Sequence, residues 1–411
     1  MTTSPPQQPL LSLDEALTRL LAAVQPLGAT ETVSTFDALG RVLAADVASL
    51  LDVPPADNTS MDGYALRAAD VPAAGTVLPV SQRIPAGVVG APLLPGTAAR
   101  IFTGAQVPAG ADAVVMQEVC EAVDGGVRID AVPKPGQWVR RRGEDVQRGS
   151  IVLARGTRLS PQALGLAASV GAATLTVARR PRVGLMSTGD ELVMPGEPLR
   201  PGAIYNSNRF THRALVQAFG CECEDFGIIP DSLAATREAL RRAAAGCDLV
   251  VSCGGVSVGE EDHLRPAVQA EGRLDLWKVA LKPGKPLAFG ELRRADGSHA
   301  WFIGLPGNPV SSFVAFVLAV RPVLQRLQGG AAKAPVAIAA RADFDWPKPD
   351  KRREFLRVRR NADGALELFP NQSSGVLTST VWGDGLVDNP GGQAIRRGDT
   401  VRYLPLAELE T

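Results

Sequence analysis

Three short stretches hold the densest chemistry in the chain. Residues 250–263 read VVSCGGVSVGEEDH, an apolar run, two glycines and then three consecutive acids, Glu260, Glu261 and Asp262. Gly254 and Gly255 would let an anion such as phosphate approach bare backbone, whereas carboxylates repel it, so the stretch is consistent only if a cation sits between. WKVALKPGKP places Lys278, Lys282 and Lys285 around a Pro283-Gly284 turn, where ammonium groups can grip an oxyanion. For Lys278 alone a solvated loop is an equal reading. GLPGNPVSS puts Asn308 at an N-cap and Pro309 at the first helical position, so free N–H groups form a further anion nest. Two more strand ends add Asp190 and Glu191, in STGDEL, and Asp231, in IIPDS. Asp231 also stands where a helix N-cap belongs, and Glu260 and Glu261 suit a first helical turn, so for these a structural reading stays open. Carboxylates that hold Mg²⁺ would present a cation to phosphate. With no Walker lysine motif and no GxGxxG, the residues point to a Mg²⁺-dependent enzyme acting on a phosphorylated or oxyanionic substrate.

Elements must bring these loops together. From Pro181 onward strands and helices alternate: RVGLMST, the capped helix of NSNRFTHRALVQAFG, CEDFGII, the helix of DSLAATREALRRAAAG, then CDLVVSC. Such βαβ alternation predicts a mostly parallel sheet covered on both faces, with ligands beyond the carboxyl ends of its strands. Before it, SLDEALTRLLAAV carries a capping box, Ser12 with Glu15, and one apolar stripe, which predicts a helix. Residues 46–150 are short β-type runs punctuated by Gly and Pro; there Asp62-Gly63 reads as an ordinary turn and the arginines at 140–142 as a surface face. Past residue 330 the chain returns to β, with a hairpin turning at Asp363-Gly364.

Composition bounds the rest. The 411 residues exceed one ordinary core, so two to four domains are expected. Forty-three basic and 43 acidic residues balance, which argues against nucleic acid or an anionic membrane as partner. The N-terminus lacks a secretory pattern, and the apolar PVSSFVAFVLAV reads as a buried helix. Five cysteines without a CxxC and three histidines make a zinc site or His-based catalysis poor expectations and suit a reducing cytoplasm.

Taken in order, NTSMDGYA, RIFTGAQVPAGADAVVMQE, RRRGED, STGDEL, CGGVSVGEEDH, KPGKP and GLPGNPVS resemble the molybdopterin molybdenumtransferases, the MoeA family, relatives of the gephyrin E domain. The resemblance implies a multi-domain α/β plus β architecture with a doubly wound molybdopterin-binding domain. The N-terminal helix (1–29) would pack on the α/β domain (181–329). An elongated domain (30–48 and 150–180) would carry an inserted β-rich domain (49–149), and a β-barrel-like domain (330–411) would close the chain. It further implies a homodimer with the active site between subunits, and transient contact with molybdopterin adenylyltransferase and downstream maturation enzymes. The implied reaction inserts molybdate into adenylylated molybdopterin with Mg²⁺ and releases AMP. By the same resemblance Asp62, Thr103 and Asp145 are polar site positions of the N-terminal module. Glu191, Asp231 and Asp262 form an acidic cluster, the last two as Mg²⁺ ligands. Gly254, Gly255 and Ser257 would receive the pterin, and Lys278, Lys282, Lys285 and Ser311 would grip phosphate and molybdate. Pro306 and Pro309 shape the substrate loop. Arg352 and Ser374 would contact the oxyanion, with Arg353 and Ser373 as competing choices. The sister adenylyltransferase, a stand-alone domain with a different glycine loop, and a cofactor-binding scaffold without turnover are the rival readings; the flanking domains and the intact acids and lysines favour the enzyme.

Overall fold

The computed structural model describes residues 10–255, 263–332 and 334–409. Its central sheet has six strands: β1 (Arg182–Thr188), β2 (Glu222–Ile229), β3 (Leu249–Cys253), β4 (Gly272–Lys278), β5 (Pro286–Arg293) and β6 (His299–Leu305). Their spatial order is β2-β1-β3-β6-β5-β4. The first four are parallel, as the alternation predicts, and β5 and β4 close one edge as an antiparallel pair. All five residues of β3 are buried, as a strand covered on both faces requires. Two apolar cores flank the sheet. One gathers Leu185, Val251 and Ile303 with the helical run from Pro309 to Leu327; the other gathers Val250 and Phe302 with Leu240 and Val268 of the opposite helices. That run is long and apolar enough to cross a membrane, but 89% of its most apolar window is buried inside the protein, so it is a core helix.

The helix Leu13–Ala23 joins the first of these cores through Leu13, Ala16 and Leu20. Its capping box is formed: Ser12 Oγ accepts from the Glu15 amide at 3.1 Å and Glu15 Oε2 from the Ser12 amide at 2.8 Å. The chain then passes through small antiparallel pairings, Thr30–Ser34 with Thr174–Ala178 and Val47–Ala48 with Ile151–Leu153. Between them lie a four-stranded and a three-stranded sheet spanning residues 63–129. Gly63 is not in the turn that Asp62-Gly63 suggests. It opens the strand Gly63–Leu66, and a Cβ there would lie 1.8 Å from the Val115 carbonyl, so only glycine permits this strand approach.

The C-terminal sheet holds Arg353–Arg360, Gly385–Asn389, Thr400–Pro405 and Ile338–Arg341, with Leu366–Leu368 beside the first. The hairpin turns at Gly364, whose φ of 73° is left-handed. One edge of this sheet comes from elsewhere: Leu281–Lys282 of the KPGKP segment pairs in parallel with Arg353–Glu354. The lysine loop of the α/β unit is thereby built into the C-terminal sheet.

Candidate functional site

A cavity of about 1130 Å³ opens beyond the carboxyl ends of the parallel strands, where this topology favours ligands. Much of its lining comes from strand ends. Thr188 ends β1 and Glu191 follows it, Asp231 follows β2, Gly254 and Gly255 follow β3, and Pro306 follows β6. Lys282 and Lys285 precede β5, Pro309 and Ser311 begin the next helix, and Arg352, Ser373 and Ser374 reach in from the C-terminal sheet. Glycine is required where β1 and β3 converge. At Gly254, with φ +91°, a Cβ would sit 2.8 Å from the Thr188 carbonyl.

The same cavity carries cations. Lys282 Nζ is 3.1 Å from Glu354 Oε1 and 3.5 Å from Asp350 Oδ2. Glu354 is fully buried and also accepts from Trp346 Nε1 at 2.8 Å, so the ammonium has a fixed seat. Arg352 pairs with Asp350 through Nε and Nη2, both at 3.0 Å. The Arg352 bonds hold the Asp350 carboxyl far below the usual carboxylate range. Arg353 is turned away: Asp388 takes it through two bonds at 2.6 and 2.7 Å and Asp14 at 3.1 Å, and it does not line the cavity. Geometry therefore separates Arg352 from its neighbour, while Ser373 and Ser374 both face the cavity.

On the acidic side no protein donor engages the side-chain carboxylate of Glu191 or Asp231 among the described residues. The N-cap role open to Asp231 belongs to Ser232, whose Oγ accepts from the Ala235 amide at 3.2 Å. Asp231 lines the cavity one residue earlier, with its amide 3.3 Å from Asp190 Oδ1. Asn308 holds its N-cap position without a side-chain bond. Instead the Ser374 carbonyl accepts from the Val310 amide at 2.9 Å, so a C-terminal loop occupies part of the expected anion nest. Ser257 and Asp262, together with Glu260 and Glu261, lie outside the described residues.

Four expected site residues are not brought to this cavity. Lys278 ends the edge strand β4, exposed and off the lining. Asp62 accepts from the Thr103 hydroxyl and amide, both at 2.7 Å, and these bonds lower its pKa. Neither residue lines the cavity of this chain, nor does the exposed Asp145. Nearby, Arg141 is paired with Asp57 and Arg142 with Asp52, as a structural role for that arginine run requires.

Several lining residues carried no sequence signal beyond their local role. Asn206 caps the helix Ser207–Ala218 with its oxygen, is 2% exposed, and leaves its Nδ2 without a partner among the described residues. The buried Thr188 hydroxyl likewise has none among them. These orphaned groups beside a polar cavity mark where a bound ligand would supply hydrogen bonds. Asn208 Nδ2 bridges Gly307 O at 2.7 Å and Cys253 Sγ at 3.0 Å, tying the ends of β6 and β3 together. Burial pushes the Cys253 thiol up to about 11, so it is a neutral lining group and not a nucleophile at neutral pH.

This succession of domains around a strand-end cavity lined by both cations and acids defines a multidomain molybdopterin-binding protein, and the comparisons agree along the chain. Residues 11–171 match the MoeA N-terminal region (domain I and II), 184–326 a probable molybdopterin binding domain, and 339–406 the MoeA C-terminal region (domain IV). The molybdopterin molybdenumtransferase of Haemophilus influenzae is 41% identical over 87% of this chain and 89% of its own length. That of Bacillus subtilis is 35% identical over 97% and 94%. The crystal structure of the molybdopterin biosynthesis MoeA protein from Pyrococcus horikoshii OT3 superposes with a TM-score of 0.83 at 30% identity, covering 97% of this chain and 100% of its own. The chain belongs to the molybdopterin molybdenumtransferase family.

Proposed function

We propose that the protein is a molybdenumtransferase of molybdenum cofactor biosynthesis that inserts molybdate into adenylylated molybdopterin and releases AMP. The observation that carries the reading is that Lys282, Lys285 and Arg352 line the same cavity as Glu191 and Asp231. Lysines and an arginine suit phosphate and molybdate. The volume exceeds the need of a small anion and suits a nucleotide-linked pterin. Lys282, Lys285 and Arg352 would hold the oxyanions, and the bare backbone at Gly254 and Gly255 would take the pterin phosphate. Ser311 and Ser374 would add hydroxyl donors, and Pro306 and Pro309 would stiffen the loop beneath. The described residues contain no group of three metal-binding side chains, but Mg²⁺ characteristically uses one or two carboxylates and completes its shell with water and substrate phosphates. Free Glu191 and Asp231 side chains meet that demand, with Asp262 as the third acid that the family resemblance adds. When bound, Mg²⁺ would supply charge neutralisation between the carboxylates and the diphosphate.

Asp62, Thr103 and Asp145 fit the same scheme if a partner subunit presents them to this cavity, and we read the protein as a homodimer for that reason, in the reducing cytoplasm that its free cysteines suit. Mixed dimers of Asp62→Ala and Arg352→Ala chains would then regain activity that neither variant has alone. Lack of complementation in a verified mixed dimer would remove the shared site.

The direct test mixes purified protein with adenylylated molybdopterin, molybdate and Mg²⁺. AMP and molybdenum-loaded pterin are expected in equal amounts, and absence of both would overturn the reading. Asp231→Asn is expected to slow that reaction tenfold or more while moving stability by less than about 0.5 kcal/mol, as for a surface change. Ser232→Ala should do the opposite, costing about 1 kcal/mol of unfolding free energy through the lost cap and sparing activity. Parallel denaturant titrations and AMP assays separate the two residues; equal behaviour would return Asp231 to a structural role.

A further inference from the structure

Arg357 lies within the strand Arg353–Arg360, is 1% exposed, and is among the largest fully buried side chains. Arginines are almost never buried so fully without a carboxylate partner. Its neighbours on the strand obey this rule: Arg353 pairs with Asp388, Arg359 with Glu367 and Arg360 with Asp384. Arg357 has no ion pair among the described residues. Its Nε donates to Ser379 Oγ at 3.1 Å, its Nη1 to the Phe355 carbonyl and its Nη2 to the Ser373 carbonyl, both at 3.2 Å. Burial lowers its pKa to about 10, which leaves the guanidinium charged at neutral pH.

The acceptors lead straight to the cavity. Ser373 lines it, and so does Gln372, whose side-chain amide bonds the Arg357 backbone on both sides, Oε1 from the Arg357 amide at 2.9 Å and Nε2 to the Arg357 carbonyl at 3.0 Å. The positive charge therefore sits directly behind the Gln372–Gly375 wall. Charge balance sharpens the point. The lining cations Lys282 and Arg352 are matched by Asp350 and Glu354, so those four groups cancel. The charge left unmatched at this wall belongs to Arg357 and to the exposed Lys285.

We propose that Arg357 is a positioning and specificity-determining residue of the oxyanion subsite. Its missing counter-ion is the tetrahedral dianion held on the other face of the Gln372–Gly375 loop. This rests on the reading above that the Arg352 and Ser374 wall takes molybdate. The guanidinium fixes the loop through the Ser373 carbonyl and supplies through a dry, low-dielectric layer the positive potential that a doubly charged ligand feels twice as strongly as a singly charged one.

The test uses the full-length protein and two tetrahedral anions of similar shape, molybdate and the monoanion perrhenate. Their binding is measured by calorimetry in the parent and in Arg357→Met and Arg357→Lys, beside Arg352→Ala and Ser374→Ala. Arg357→Met keeps volume and removes charge. Molybdate affinity should fall about tenfold or more and perrhenate affinity several-fold less, with affinity for adenylylated molybdopterin unchanged. Arg357→Lys should restore part of the dianion preference. A folded Arg357→Met protein with unchanged molybdate affinity, or with equal losses for both anions and the pterin, would reduce Arg357 to a packing residue. If Arg352→Ala and Ser374→Ala also leave molybdate binding intact, the oxyanion subsite itself lies elsewhere, a failure of the underlying reading that the Arg357 variants alone would not produce.

Discussion

Glu354→Ala is expected to cost about 2–3 kcal/mol of stability and to collapse oxyanion binding with it. Glu354 is fully buried and serves three donors: Lys282 Nζ at 3.1 Å, Trp346 Nε1 at 2.8 Å and Asn389 Nδ2 at 3.4 Å. Breaking a buried ion pair by removing one partner costs about 3–5 kcal/mol, because the survivor is left without compensation. The figure is reduced here because the Lys282 side chain is 37% exposed and can turn to water. That turn is what disables the site, since Lys282 then leaves the cavity wall. Glu354→Gln keeps an acceptor for Trp346 and Asn389, so it should recover most of the stability and little of the molybdate affinity. Urea unfolding beside calorimetry reads both quantities. An alanine variant that unfolds at the parent's midpoint would show that Glu354 does not support the seat.

The second large effect is expected at Gly254. Gly254→Val must adopt a left-handed φ of +91° and place its Cβ 2.8 Å from the Thr188 carbonyl. The left-handed conformation alone costs about 1–2 kcal/mol, and the contact is with backbone, which cannot step aside as a side chain does. The ends of β1 and β3 would be forced apart at the point where the pterin phosphate is to approach. Affinity for adenylylated molybdopterin should fall at least about a hundredfold, corresponding to about 2.8 kcal/mol. Gly375→Val is the matched control, since Gly375 also lines the cavity but a Cβ there meets nothing within 4 Å. Its binding should stay within about twofold of the parent, a change of about 0.4 kcal/mol. Equal losses at both positions would mean that bulk in the cavity, and not the strand junction, sets the requirement.

What could be read from the residues was mostly local. The Ser12 capping box, the capped helix at Asn206 and the turn at Gly364 each depend on neighbours in sequence, and each formed as expected. Parallel topology then carried Glu191, Asp231, Gly254 and Pro306 to one edge of the sheet, because βαβ alternation dictates which strand ends meet. Contacts between distant segments were out of reach. Nothing in RREFLRVRR distinguishes Arg352 from Arg353; Asp388, 35 residues from Arg353, makes the choice. That strand carries charges at positions of both faces, yet positions 354–358 are all buried, so nothing in its pattern sets Arg357 apart from its exposed neighbours Arg359 and Arg360. Proximity in sequence groups Lys278 with Lys282 and Lys285, but it ends an antiparallel edge strand while the other two bracket the Pro283-Gly284 turn and line the cavity. For Asp231 the open alternative closes on one residue: Ser232 is also a good cap, and the helix uses it.

The pairing of Leu281–Lys282 with Arg353–Glu354 has a mechanical consequence. A segment that belongs to the α/β unit by sequence is carried by the C-terminal sheet; Lys282 lies in that two-residue ladder and Arg352 directly precedes it. The two cations therefore share one backbone support. A substitution that breaks the ladder would displace both together, so a defect in the C-terminal sheet would be felt as a loss of two oxyanion contacts at once.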